Sequence, residues 1–179
     1  MKGARAILIL ALVVGAGAAR AAGDLPINAF AGHFVGSGLA RNALSEYFAL
    51  TSRDLDVRIE PAGEGFTLTW TTVLRQGGNP DAPDVRRKTA SLRFVPSGRG
   101  DIFRAEGSGD PLTGTPLTWA RIRGQTLTVH MLHVDDDGSY TVLSWERTLT
   151  GNGMSLRFTR VRDGESLRSV TGDLVKAGN

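Results

Sequence analysis

Asp-Gly and Asn-Gly pairs, set between short segments of alternating polar and apolar residues, are the feature that most restricts the fold of this chain. The pairs are Asp137-Gly138, Asn152-Gly153 and Asp163-Gly164. Such pairs supply the positive φ angles that two-residue hairpin turns require, so the flanking strands are expected to be antiparallel neighbours. Glycine-containing turns at 63–65, 97–100 and 123–124 extend the pattern toward the N-terminus. Consecutive strands joined in this way form a meander.

The alternation of polar and apolar residues is clearest at 54–60, where Leu55, Val57 and Ile59 share one face, and it recurs at 66–74. Further strands are predicted at 32–41, 87–96, 101–107, 116–122, 126–134, 139–149, 154–162 and 165–176. Segment 39–52 fits either a helix or a strand, and a strand is slightly favoured. Two loops rich in Gly, Pro and Asp, 76–84 and 107–116, are expected to decorate one end of the structure.

A long meander exposes two sheet edges unless the sheet closes on itself. We therefore predict an all-β fold, an antiparallel up-and-down meander closed into a soluble β-barrel of about 8–10 strands. A β-sandwich is the alternative. A membrane-embedded barrel would need an outer apolar band with aromatic girdles. Aromatic residues make up only 7% of this chain, and the predicted outer positions carry Thr, Arg, Asp and Glu.

Residues 1–21 have the pattern of a secretory signal peptide. Lys2 and Arg5 form a basic start, an apolar run follows at 6–18, and Ala19-Arg20-Ala21 provides a small-residue cleavage site. The apolar run is shorter than the about 20 residues that a membrane-spanning helix needs. We expect a signal peptide at 1–21 and a single barrel domain at 22–179, located in the periplasm or secreted. A retained N-terminal anchor is the alternative.

Net charge and cysteine content exclude several classes of function. The leader contains three of the 21 basic residues and no acidic ones, which leaves 18 basic residues against 18 acidic ones. A neutral chain lacks the long-range field that attracts nucleic acid or an anionic membrane, so neither is a predicted partner. The chain has no cysteine, which rules out disulfides and thiolate metal sites.

Two-residue turns would determine which residues face each other. The Asn152-Gly153 turn then places Arg147 opposite Phe158 and Trp145 opposite Arg160. The neighbouring turns place Trp145 opposite His130, Thr128 opposite Trp119, and Arg160 opposite Leu167. One face therefore collects Trp119, Arg121, His130, Leu132, Trp145, Arg147, Phe158 and Arg160. Leu127, Val129 and Met131 fall on the other face, so either that strand is covered on both sides or the register shifts at one turn.

Two interpretations account for arginines on an inward face. In the first, Arg160 stacks on Trp145 as a cation–π pair. In the second, Arg147 and Arg160 bind an anionic head group, because a guanidinium can pair with a carboxylate through two hydrogen bonds. Aromatic and leucine side chains would then hold an apolar tail. The candidate ligand-binding residues are Trp119, His130, Leu132, Trp145, Arg147, Phe158 and Arg160.

The segment "FAGHFVGSG" near the start of the mature chain resembles the first strand of the calycins, the lipocalins and fatty-acid-binding proteins. Gly32-x-Phe34 corresponds to the Gly-x-Trp motif of that family, with phenylalanine in place of tryptophan. The resemblance implies a soluble meander barrel that carries small apolar ligands. It also implies that a late-strand arginine, Arg147 or Arg160, covers the aromatic ring, with His33 beside it.

No motif predicts a metal site, a cofactor or a catalytic residue. His130 and His133 are three apart on a strand and point to opposite faces. Segment 135–138 lacks the rest of a calcium-binding loop, and Ser37 and Ser108 lack the nucleophile elbow of hydrolases. The predicted register also places His130 and Glu146 on opposite faces, where they could not act together.

We therefore predict an exported small-ligand-binding protein, a carrier or sensor of an amphipathic or anionic hydrophobic molecule. One alternative is an interaction or scaffold protein of the cell envelope that binds no ligand. A third is an isomerase or cyclase on a calycin-like barrel, using His130 or Glu146. A cavity of several hundred Å³ inside the barrel would favour the first role. A filled interior with an apolar patch outside would favour the second.

Overall fold

The computed structural model describes residues 23–42, 51–75 and 85–178, and these form a closed antiparallel barrel of ten strands. The strands are β1 (Gly32–Asn42), β2 (Thr51–Ala62), β3 (Gly65–Arg75), β4 (Val85–Pro96), β5 (Ile102–Ala105), β6 (Leu117–Arg123), β7 (Thr126–Val134), β8 (Tyr140–Leu149), β9 (Gly153–Arg162) and β10 (Glu165–Lys176). Each strand pairs with its sequence neighbours, and β1 also pairs with β10. The predicted meander barrel is confirmed, and this closure excludes the β-sandwich.

Segment 39–52 is strand up to Asn42 and again from Thr51. The predicted signal peptide, residues 43–50 and the whole of the predicted loop 76–84 lie outside the described residues. The second predicted loop contains a short 3₁₀ helix, Pro111–Thr113. Within the described ranges, no helix has the length and apolar character needed to cross a membrane.

Two of the hairpin turns near the C-terminus differ from the prediction. Across the connection that contains Asn152-Gly153, Leu149 pairs with Met154. Arg147 therefore faces Leu156, and Trp145 faces Phe158. The predicted pairing of Trp145 with Arg160 is wrong by two residues. Because side chains on a strand alternate with a period of two, this shift leaves every residue on its predicted face.

The Asp137-Gly138 connection is longer than predicted, and this changes the faces of β7. Asp135 N–H donates to the Ser139 carbonyl oxygen at 2.8 Å, and Met131, not Leu132, pairs with Leu143. The predicted register is therefore wrong by one residue here. The shift turns Leu127, Val129 and Met131 into the barrel, which removes the difficulty they posed, and turns the even-numbered residues of β7 outward.

The remaining predicted turns are partly right. Asp163-Gly164 forms the predicted two-residue turn, with φ angles of 47° and 84°. A register shift between Ser166 and Arg168 then places Arg168, not Leu167, opposite Arg160. Between β6 and β7 the turn lies one residue later than predicted, at 124–125, so Trp119 faces His130 rather than Thr128.

One end of the barrel is filled by phenylalanines. The ring centroids of Phe66 and Phe94 are 4.8 Å apart in a stacked pair, and Phe103 meets Phe66 edge-on at 5.2 Å. The 3₁₀ helix Ile27–Phe30 places Phe30 in the same core, fully buried. The described residues at this end are packed ring against ring at ordinary contact distances.

The aromatic residue of the first strand is covered by a lysine. Phe34 pairs with Lys176 of β10, and the Lys176 Nζ atom lies 6.0 Å from the Phe34 ring centroid. The expectation that Arg147 or Arg160 would cover it is wrong, because both belong to the other half of the barrel. His33 points outward, and its Nε2 atom lies 3.0 Å from Asp56 Oδ1.

Candidate functional site

The half of the barrel away from the phenylalanines encloses a cavity of about 1240 Å³. It lies toward the end of the barrel that carries the loops 106–116 and 135–139. This volume exceeds the roughly 300–1,000 Å³ that small-molecule sites occupy, so a small molecule would fit. The interior is therefore hollow on one side and packed on the other.

Aromatic side chains form the middle of the cavity wall. Trp70 of β3 and Trp145 of β8 meet across the barrel with their ring centroids 5.7 Å apart. Phe158 of β9 lies 5.2 Å from Trp145. We call these three aromatic residues and the apolar residues that line the cavity beside them the aromatic belt. The apolar residues are Leu55, Val57, Leu92, Met131, Leu143, Leu156 and Val170. Such a surface suits an apolar or flat molecule.

Arg147 lies at the inner limit of the cavity, next to the packed half. Its side chain is 1% exposed, and its guanidinium carbon lies 5.8 Å from the Trp70 ring centroid. The Nε and Nη1 atoms have no hydrogen-bond partner among the residues that the structure describes. Burial lowers the pKa of Arg147 from its ordinary value to about 10, so the group is still a cation at neutral pH. A buried cation with two unused donors is costly unless an anion pairs with it.

Five more basic side chains occupy inward positions near the mouth of the cavity. We call them the rim cations: Arg53, Arg86, Lys88, Arg160 and Arg168. None forms an ion pair with a carboxylate within residues 23–42, 51–75 and 85–178, and the Nε atoms of Arg53 and Arg168 are buried without a hydrogen-bond partner. No acidic residue is among the described residues that line the cavity. The site is electrostatically suited to anions.

Of the described residues that line the cavity near its mouth, only His133 contacts an acidic side chain. Its Nε2 atom lies 3.0 Å from Asp135 Oδ1, and Asp135 also contacts Arg162 at 3.3 Å. Arg162 donates to Ser139 Oγ at 2.7 Å. The His133 Nδ1 atom is buried without a partner. In the part of the chain that the structure describes, no group of three or more His, Cys, Asp or Glu side chains could hold a metal ion.

The structure divides the predicted ligand-binding residues between two surfaces. Trp145, Arg147, Phe158 and Arg160 line the cavity. The other three, Trp119, His130 and Leu132, share a face with Arg121 on the outer wall, because the register of β7 differs by one residue from the prediction. The predicted Arg160–Trp145 stack is replaced by Arg147 over Trp70.

Several lining residues were not predicted. Trp70 alternates with threonines in β3. The alternation predicts that Trp70 lies on one face of a strand, but it does not predict that this face lines a cavity. The triplet Arg86-Arg87-Lys88 reads as a solvated strand face, yet Arg86 and Lys88 are inward positions at the rim. Arg53 and Arg168 are separated by more than a hundred residues in sequence, and only closure of the barrel brings both to one opening.

On the outer wall, His130 is held by two contacts. Its ring stacks on Trp119 with centroids 4.9 Å apart, and its Nδ1 atom lies 2.9 Å from Ser144 Oγ. Partial burial lowers the pKa of His130, with Glu146 acting in the opposite direction and Arg121 in the same direction. His130 and Glu146 share the outer face, so the prediction that they lie on opposite faces is wrong. Neither belongs to the cavity lining.

Comparison with known proteins adds little to this geometry. No protein-family model matches the sequence, and no curated protein matches it. Among solved structures, the chain is similar to the S-type phycobiliprotein lyase CPES from Guillardia theta, with a TM-score of 0.40 and 7% identity over 86% of this chain and 91% of that chain. A likeness at this score carries no inference about activity, so the functional conclusion rests on the cavity.

Proposed function

We propose that this protein binds a small anionic amphiphile inside the barrel, as a carrier or a sensor. The observation that carries the proposal is Arg147, a buried guanidinium with two unpaired donors at the inner limit of an aromatic cavity. A carboxylate or similar anion bound at this end of the cavity would neutralise the charge and accept a hydrogen bond from one of these donors. Hydrogen bonds to charged groups contribute about 1.5–3 kcal/mol each.

The aromatic belt supports an apolar portion in the ligand. Transfer of apolar surface from water contributes about 25 cal/mol per Å², and the belt offers indole and phenyl faces next to Arg147. The rim cations would attract an anion toward the mouth before it enters. The closed meander barrel also supports a resemblance to the calycins, soluble meander barrels that carry small apolar ligands.

A tryptophan fluorescence titration tests the proposal. The chain has three tryptophans, of which Trp70 and Trp145 line the cavity. The Trp119→Phe variant removes the outer-wall signal and leaves only the two cavity reporters. We expect dodecanoate to change their emission and to bind about tenfold to hundredfold more tightly than dodecanol, because only the carboxylate pairs with a guanidinium.

The control in this titration is the Trp70→Phe, Trp145→Phe double variant, in which Trp119 is the only reporter and its emission should stay unchanged. The proposal fails if neither compound changes the cavity signal, or if the alcohol binds as tightly as the carboxylate. Native mass spectrometry of protein purified from its own host offers an independent check, with an acidic lipid-like adduct as the expected result.

An interaction role is a second candidate, supported by an aliphatic row on the outer wall. Leu117, Leu132, Val142 and Val161 are successive register partners across β6, β7, β8 and β9, and all are partly exposed. Exposed apolar patches often mark sites of protein contact. The cavity favours ligand binding as the principal role, because an interaction scaffold has no need of a buried, unpaired arginine.

We further propose that the chain is exported to the periplasm or secreted, on the basis of the basic start, apolar run and small-residue site within residues 1–21. We expect the protein recovered from the periplasmic fraction of expressing bacteria to have a mass that begins near Ala22. Substituting Ala19 and Ala21 by bulky residues should block this cleavage. Full-length protein confined to the cytoplasmic fraction would contradict export.

A further inference from the structure

The cavity has two cationic zones, and an uncharged belt separates them. Arg147 forms the inner zone, and the rim cations form the outer one. We propose that the natural ligand carries an acidic group at each end of an apolar middle, so that it pairs with Arg147 and the rim at the same time. This inference rests on the proposed function and specifies the class of ligand.

The order of inward side chains on two neighbouring strands shows the arrangement directly. On β8 the inward sequence is Leu143, Trp145, Arg147; on β9 the opposing residues are Arg160, Phe158 and Leu156. One cation therefore lies at each end of this patch, with indole, phenyl and leucine side chains in between. The Arg147 and Leu143 positions are four residues apart, about 13 Å along the strand.

The rim contains two arginines placed directly opposite each other. Arg160 and Arg168 are register partners on β9 and β10, and both line the cavity. Like charges in directly opposed positions destabilise a sheet. Neither arginine has an ion-pair partner among the described residues, and the Arg168 Nε atom is buried and unbonded. An anion held between them would relieve the repulsion and accept these hydrogen bonds.

A ligand with one acidic group would satisfy only one zone. If its carboxylate paired with Arg147, the Arg160–Arg168 pair would remain uncompensated; if it paired with the rim, the donors of Arg147 would remain unused. Arg147 is buried, so leaving it unpaired is costly, and leaving the rim pair uncompensated retains the repulsion between two directly opposed like charges. A molecule with two acidic ends removes both costs in a single binding event, without a second independent loss of translational freedom.

The test compares dicarboxylates with monocarboxylates of the same chain length on the Trp119→Phe protein, by fluorescence and by calorimetry. The pairs are suberate with octanoate, dodecanedioate with dodecanoate, and hexadecanedioate with hexadecanoate. We expect at least one diacid to bind about tenfold or more tightly than its monoacid, with one molecule per barrel. We also expect an optimum length, because the two zones are held apart by the strands.

The Arg160→Gln, Arg168→Gln double variant isolates the rim. It should abolish the diacid preference, so that the ratio of diacid to monoacid affinity falls to about one, whatever the change in monoacid binding itself. The matched control is Arg123→Gln, Arg157→Gln, which removes the same charge from exposed residues on the outer wall and should leave the diacid preference intact. Both variants alter exposed or half-exposed side chains, and thermal unfolding verifies that each is folded.

The possible outcomes separate this inference from the proposed function. If monoacids bind and diacids show no preference at any length, or if two monoacids bind per barrel, the two-ended ligand is refuted while ligand binding stands. If neither series binds, the proposed function fails as well. A diacid preference that survives the rim double variant would also overturn the inference, because the second acidic group would then be recognised elsewhere.

Discussion

The Arg147→Met variant is expected to be more stable than the natural protein by about 1–3 kcal/mol in urea unfolding. Burial lowers the pKa of Arg147 from its ordinary value to about 10, which corresponds to about 3 kcal/mol of destabilisation at about 1.4 kcal/mol per pKa unit. The cation–π contact with Trp70 offsets about 0.5–2 kcal/mol of this. Methionine fills a similar volume without a charge.

The same variant is expected to lose the preference for dodecanoate over dodecanol. The combination of higher stability and lost selectivity is the signature of a residue retained for binding rather than for folding. Arg147→Lys is the control, since it keeps a positive charge but lacks the planar fork; it should retain part of the carboxylate preference. A stability loss in Arg147→Met with unchanged ligand selectivity would instead indicate a purely structural cation–π role.

The difference in unfolding free energy between the natural protein and the Arg147→Met variant should also depend on pH. Because the pKa of Arg147 is lower in the folded state, the unfolded chain binds more protons once the pH exceeds about 10, and stability then rises with pH. The penalty is fully present below about pH 10 and is progressively relieved as the pH rises above it. The advantage of Arg147→Met should therefore be constant at neutral pH and shrink in alkaline solution.

The Phe66→Ala variant is expected to lose about 3–5 kcal/mol of unfolding free energy. Phe66 is fully buried and contacts the rings of Phe94 and Phe103 in the packed half of the barrel. Removing the ring leaves a void in a close-packed interior, which costs the transfer energy and the lost contacts. Denaturant unfolding measures the loss, and the fraction that stays folded should bind dodecanoate with unchanged affinity.

Phe158→Ala is the matched comparison from the hollow half. Its ring is partly exposed and borders the existing cavity, so its removal enlarges a space instead of creating a new one. We expect a smaller stability loss than for Phe66→Ala, together with weaker ligand binding. Equal stability losses with equal effects on binding would mean that the two halves do not have the separate roles assigned to them.

Strand positions and hairpin connectivity could be predicted because they depend on local interactions. The alternation in 54–60 and 66–74 and the Asp163-Gly164 turn act over a few residues, and the structure has the strands and the turn where the sequence predicts them. The inward face of β8 and β9 was also predicted correctly, although the register was wrong by two residues, because a shift of two preserves the face.

The face of β7 could not be predicted with the same rule. Which side chains of β7 point into the barrel depends on whether the connection at Asp137-Gly138 contains an even or an odd number of residues. The hydrogen bond between Asp135 and Ser139 closes a connection with an odd number. A single-residue difference moved His130 and Leu132 to the outer wall and brought Met131 into the cavity. Burial of the apolar face outweighed the preference of the Asp-Gly pair for a two-residue turn.

The amino-acid sequence by itself thus determined an all-β meander and its order of strands. It also determined that Trp145, Arg147, Phe158 and Arg160 share one face of the sheet, because backbone alternation and turn chemistry are local. Only the tertiary structure decided that one half is packed and the other hollow, and that Arg53 and Arg168 share an opening with Arg86. Those properties arise when β1 pairs with β10, since closure sets the distances between strands far apart in the chain.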